Sequence, residues 1–186
     1  MSKISIKGAT TGTGVFTLES PATNTDRTLV LPDEAGTVLT SAGVPASAMP
    51  AGSVLQVVYA STTTEVSTTA TYADIGLGAT ITPSSASNKI LVLSSIGSYS
   101  GAANPEAYLA LVRDSSTTLV EQGYACYSPY PIMSRTPVQY LDSPNTTSPV
   151  NYKFRGKNAN GNVVYWNYDD SGGDQTSTLI LMEIAA

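Results

Sequence analysis

Along most of the chain, β-branched or aliphatic residues alternate with Ser, Thr or Lys, and Gly, Pro and Asn break the alternation. A period of two sends successive side chains to opposite faces of a strand, so this pattern predicts strands separated by turns. It places strands over 3–7, 14–18, 27–31 and 37–40, then over 53–61, 71–75, 80–82, 88–96, 106–114, 117–121, 138–141, 150–155, 162–168 and 177–184. No stretch combines helical spacing with capping residues over a useful length. The predicted class is all-β.

Residues 41–52 hold two Pro, two Gly and no charge, which reads as a linker. The four short strands of 1–40 are too few and too poor in large side chains to close a core. Their apolar residues, Ile4, Ile6, Val15, Phe16, Leu18, Leu29, Leu31, Val38 and Leu39, therefore need another surface to cover them, and the segment is expected to be an extended β-arm. Residues 53–186 carry about nine or ten short strands, which suits an antiparallel β-sandwich and most simply a jelly roll. The most apolar strands are the first and last, 53–59 and 178–184, expected side by side in the middle of a sheet. The interior is expected to hold Val54, Val57, Ile81, Ile90, Val92, Leu109, Leu111, Phe154, Val164, Trp166, Leu179 and Leu181.

Composition narrows the function. Only 12% of the 186 residues are charged and about a quarter are Ser or Thr, so hydroxyls, Gly and Asn must supply much of the surface. A net charge of -5 offers no attraction to a phosphate backbone or to anionic lipid, so neither nucleic acid nor a membrane is an expected partner. No apolar run approaches the ~20 residues of a membrane span. The absence of His removes the commonest general base and the commonest metal ligand, which makes most hydrolase mechanisms poor candidates. Cys126 has no second Cys to pair with and no cationic neighbour to stabilise a thiolate; it reads as a small buried apolar residue. The N-terminus lacks the apolar core of a signal peptide, which points to synthesis and assembly in a cytoplasm. No cofactor is expected.

Three local constellations remain. Asp169, Asp170 and Asp174 surround Gly172 and Gly173 in a manner that hard cations favour, but the glutamate that closes an EF-hand loop is missing, and a solvated hairpin loop is the simpler reading. As a carboxylate pair for glycoside cleavage, Asp169 and Asp174 lack any sequence sign of a pocket that would raise one pKa. The Gly-rich run 8–14 has neither the Lys nor the following helix of a phosphate loop and reads as a turn. Residues 124–137 hold Tyr124, Tyr127 and Tyr130 with three Pro and Arg135, too many Pro for a continuous central strand. The segment is expected to be a loop whose tyrosines either pack at a subunit contact or meet an external ligand. Trp166, opposite in phase to Tyr165, belongs to the core.

The arm also carries a motif. Residues 17–40, TLESPATNTDRTLVLPDEAGTVLT, resemble a segment of structural proteins of tailed bacteriophages with the general form T-L-x-x-P-A, a spacer, then R-T-L-x-L-P-D-x-x-G-T-L-x-T. Residues 52–58, 81–92, 140–144 and 178–184 look like framework strands of short phage virion proteins that are variously capsid-decorating or tail-fibre-like; 97–136 fits least well. The resemblance implies a non-enzymatic, homotrimeric virion component. Its arm, Arg27 included, would anchor on a platform, with the phage major capsid protein as partner. A short tail fibre or adhesin docked on tail or baseplate proteins, touching a host glycan through Tyr124, Tyr127, Tyr130 and Arg135, is the alternative; a glycan depolymerase is the weakest. Only the short linker separates arm from sandwich, with no shaft between, which favours a decoration (cement) protein on the virion surface, assembled in the bacterial host cytoplasm.

Overall fold

The computed structural model describes residues 11–15, 24–26, 28, 44, 48–101, 106–125, 130–168 and 175–186. The arm strands lie largely outside these, and so do the site residues Ile4, Ile6, Phe16, Leu18, Arg27, Leu29, Leu31, Val38 and Leu39, along with Cys126, Tyr127 and the carboxylate-rich run 169–174. By internal contacts the chain divides into two compact units, Met1–Val38 and Leu39–Ala186. In the first, Val15 is exposed.

The second unit contains β1 (Val54–Thr62), β2 (Val66–Thr68), β3 (Ala73–Ile81), β4 (Lys89–Ser100), β5 (Glu106–Arg113), β6 (Thr117–Ala125), β7 (Ile132–Asp142), β8 (Val150–Asn158), β9 (Val164–Trp166) and β10 (Ser177–Ile184). No helix among the described residues is long and apolar enough to cross a membrane. One sheet, called A here, runs β1-β10-β4-β7, and β4 extends past the end of β10 to pair β9, which in turn pairs β2. Sheet B runs β3-β8-β5-β6. Every pairing is antiparallel. With the short β2 and β9 set aside, the remaining eight strands in chain order are arranged 1-8-3-6 and 2-7-4-5, which is the jelly roll.

The core lies between the sheets because each strand buries alternate residues. In β8, Val150, Tyr152, Phe154, Gly156 and Asn158 point in; in β10, Ser177, Leu179, Leu181 and Glu183 do. Ten of the twelve expected interior residues are buried, Trp166 completely. Its indole Nε1 donates to Thr68 Oγ1 at 2.8 Å, and its ring lies so close over Gly156 that a Cβ there would come within 2.3 Å of it. A glycine at 156 is thus a packing requirement of the tryptophan.

The two exceptions are Val54 and Val57, both about half exposed. A bulge at Leu55 shifts the register of β1 against β10, so that Gln56 rather than a valine turns inward while Val57 pairs Met182 on the outer face. Moreover β1 is an edge strand and, of the two, β10 alone is interior to sheet A, which corrects the expectation that both were central. The segments 71–75 and 80–82 are one strand, β3, in which Gly76 at φ +77° and a register shift between Asp74 and Gly78 take up the irregularity. The short β2 was not expected at all.

The largest correction concerns 124–137. It is not one loop: β6 continues to Ala125 in sheet B, and β7 starts at Ile132 in sheet A and pairs β4 along its whole length. Pro137 sits opposite Ser95 within that ladder. The ladder tolerates it because β7 is an edge strand, where a residue without an N–H loses nothing if that position faces away from the neighbour.

Candidate functional site

Buried ionisable groups are where chemistry would be sought first, and here two carboxylates are enclosed at one end of the sandwich. In the inward row Gln56, Glu183, Ile90, Asp142, set by the β1-β10-β4-β7 register, Glu183 and Asp142 flank Ile90. Glu183 Oε1 accepts from the Ser84 backbone N–H at 2.6 Å, Ser84 Oγ at 2.8 Å and Asn88 Nδ2 at 2.6 Å, and its Oε2 accepts from Gln56 Nε2 at 2.6 Å. Burial alone would raise its pKa; the donors from Asn88, Gln56 and Ser84 outweigh that and hold it below the ordinary glutamate value. Asp142 accepts from Arg113 Nη1 at 2.8 and 2.9 Å and from Tyr152 Oη at 2.7 Å. Burial, then this hydrogen bond, keeps the Tyr152 phenol protonated far above its usual range, and Asp142 likewise raises Arg113. Both carboxylates are fully engaged in joining turn to sheet and sheet to sheet.

The outer faces of the two sheets differ in kind. On sheet B, Lys153 Nζ and Arg155 Nε bind Asp74 at 2.9 and 3.3 Å, Arg155 also donates to the Tyr72 carbonyl, and Lys157 Nζ lies 4.4 Å from the Tyr72 ring centroid and 5.0 Å from that of Tyr108. That face is charged and internally paired, as a solvated surface should be.

Sheet A presents the opposite chemistry. Register places Val57, Met182, Leu91 and Leu141 in one outward row across four strands, and Tyr59, Ile180, Leu93 and Gln139 in the next. The third row is Ser61, Thr178, Ser95 and Pro137. None of these twelve positions carries a charge. Lys89, opposite Ile184, bounds the patch at one end. At the other, Arg135 donates to Ser95 Oγ at 3.0 Å and to the Thr176 carbonyl at 2.6 Å, and Gln175 lies directly over Gly97. Beyond them Tyr99, Tyr165 and Tyr168 form a ring cluster with centroids 5.5–6.1 Å apart. Val57, Tyr59 and Leu141 are among the large apolar side chains left exposed.

Of the residues expected to share one loop, Arg135 is on β7 and spends its guanidinium on the border of this patch, Tyr130 is exposed just ahead of β7, and Tyr124 is in β6 of the other sheet. Tyr127 lies outside the described residues. The end of β6 and the start of β7 lie together, with Gln122, Gly123, Ser134, Arg135, Thr136 and Pro137 lining one cavity. The outer face of sheet A was not anticipated, although a signal existed: Ile90 to Leu93 and Leu179 to Met182 are unbroken apolar runs, the mark of strands apolar on both faces.

Fold and surfaces together define a jelly-roll module with one charged face and one uncharged apolar face. No protein-family model matches the chain, and no curated protein matches it. Among solved structures the chain is similar to "Structure of infectious bursal disease virus Gt strain" at 14% identity and TM-score 0.36, over 72% of this chain and 39% of that one. It is similar to the infectious bursal disease virus VP2 subviral particle at 12% identity and TM-score 0.35, over 72% and 38%. The match to the Gx strain of that virus has 10% identity and TM-score 0.36, over 82% and 41%. The similarity thus spans about two fifths of the length of those chains.

Proposed function

We propose that this chain is a non-enzymatic structural protein of a tailed-bacteriophage virion: a homotrimeric capsid decoration protein whose N-terminal arm binds major capsid protein subunits and ties them together. The observation that carries a binding rather than a catalytic role is the contrast just described. The enclosed carboxylates Glu183 and Asp142 are consumed by internal donors, while the outer face of sheet A carries an uncharged stretch with exposed Val57, Tyr59 and Leu141. The phage-like arm motif of residues 17–40 supports the virion assignment, and the short linker favours a module seated directly on its platform. An arm of 40 residues extends on the order of 100 Å when fully stretched, enough to cross more than one subunit.

Copy number tests the reading. Quantitative gel densitometry of purified particles should give a stoichiometry matching the capsid lattice. A count equal to a small multiple of the tail's symmetry instead makes the protein a short tail fibre, and absence from the particle removes the virion role.

A further inference from the structure

We propose that the cleft between the edge strands β6 and β7 is a binding site for a neutral saccharide. The inference goes beyond the virion reading above and is independent of it, since it asks nothing of the arm or of a particle.

Position, side-chain chemistry and size carry the argument. β6 and β7 are each the last strand of their sheet, and they border one cleft. Nearer the carboxylate end the inner positions of these strands are apolar: Val138 belongs to the core and Val120 packs against it. Further along, the inner positions become Gln122, opposite the buried Leu109, and Thr136 and Ser134, opposite the buried Ile96 and Ser98. Directly opposed residues of an antiparallel pair share a face, so all three polar side chains stand on the inner side of their strands. They line a cavity of about 460 Å³ together with Gly123, Arg135 and Pro137. That volume falls within the ~300–1,000 Å³ of ordinary ligand sites. Among the described residues none of these three side chains makes a hydrogen bond, in contrast to the carboxylate end, where Gln56, Ser84 and Asn88 are all engaged. An amide and two hydroxyls both donate and accept, as the hydroxyls of a sugar do. Among the described residues no carboxylate lines the cavity, and the one charged side chain there, Arg135, already donates to Ser95 Oγ and to the Thr176 carbonyl. An apolar ligand would strip water from three polar side chains without replacing its hydrogen bonds. A phosphate-bearing ligand would find a single guanidinium. An added peptide strand is opposed by Pro137, which has no N–H to give the ladder such a strand needs.

The test uses the full chain, labelled with nitrogen-15 for NMR, and takes glucose, galactose, N-acetylglucosamine and rhamnose as separate probes in the millimolar range. At least one of them should shift the Gln122 side-chain amide and the backbone amides of Gly123 and Thr136 along one saturating curve, a readout that needs no variant. Q122A, at an exposed position, and T136V, which keeps the side-chain shape, should each weaken that binding about fivefold, the cost of one lost hydrogen bond. S61A on the exposed outer side of sheet A should leave it unchanged, with circular dichroism confirming the fold of all three. No shift with any of the four sugars overturns the inference, as do shifts that never saturate or that fall away from the cleft. So does sugar binding untouched by both Q122A and T136V. Galacturonic acid and a Thr-Val-Thr-Val tetrapeptide serve as controls: if either binds at the cleft while the neutral sugars do not, the site takes an acidic ligand or a peptide and the inference fails. Saturable sugar binding by a chain that is absent from purified particles leaves the saccharide site standing while the virion reading fails.

Discussion

Replacing Glu183 probes how the sandwich is closed at its carboxylate end. Four donors at 2.6–2.8 Å converge on this one side chain, which is 1% exposed, and they come from β1 and the turn before β4. Hydrogen bonds to a charged acceptor contribute about 1.5–3 kcal/mol each before the cost of dehydrating the carboxylate is subtracted. In E183A the Asn88 amide is the donor least able to recover a partner from water, because Asn88 is itself 6% exposed, whereas Ser84 is exposed and Gln56 half-buried. The expected loss is about 1–3 kcal/mol, the range for leaving one buried neutral donor unsatisfied. E183Q keeps an oxygen for the Ser84 and Asn88 donors but sets its own amide NH2 against Gln56 Nε2. Turning the Gln56 amide relieves that clash only by giving up the bond from Gln56 Nε2 to the Thr82 carbonyl, so a loss of about 1–2 kcal/mol is expected. The pH dependence has a definite sign. The folded-state pKa of Glu183 lies below its unfolded value, so its contribution is complete above the unfolded value of about 4.3 and disappears as pH falls through the lower folded value. Urea titrations of the wild type and both variants between pH 7 and pH 3, at two protein concentrations to separate folding from association, measure both effects. The wild type should lose its advantage over E183Q as the solution is acidified through this window. An E183A loss under 1 kcal/mol, or parallel wild-type and E183Q pH profiles, refutes the assignment of Glu183 as an ionised pin.

Three further outcomes are expected. G156A should lower stability by about 2–3 kcal/mol, because its Cβ would overlap the Trp166 ring in a packed interior, and thermal melts with Trp fluorescence should show both the loss and a shifted spectrum. Deleting residues 1–40 should leave the far-UV circular dichroism of the sandwich intact and abolish sedimentation with purified particles; an unfolded product, or normal particle binding, contradicts the anchoring role of the arm. Stability should be indifferent to EDTA and to reductant, since the sandwich is held by the core and the two carboxylate pins, and a melting temperature that falls by many degrees in EDTA would restore Asp169, Asp170 and Asp174 as a metal site.

Local alternation is sufficient to reveal that strands exist and which side chains share a face. That is why β8 and β10, with their regular in-out order, and the burial of Leu109, Phe154 and Trp166 were legible from the chain alone. Polar satisfaction was not legible, because the donors that make Glu183 and Asp142 tolerable in the interior arrive from as far as 127 residues away in sequence and have no local signature. The same holds for the edges of the sheets. A proline in a strand is excluded only if a neighbour needs its N–H, and whether β7 has such a neighbour is decided by pairing, not by composition. Val57 was assigned to the core from its strand's hydrophobicity, yet a one-residue bulge at Leu55 reversed its face, since every residue added to a period of two exchanges inside for outside. The apolar patch itself is the clearest division between the two levels. Its residues were visible as apolar runs in separate segments, but only the antiparallel register of β1, β10, β4 and β7 brings Val57, Met182, Leu91 and Leu141 into one row, because a surface is a property of strands side by side and not of any strand alone.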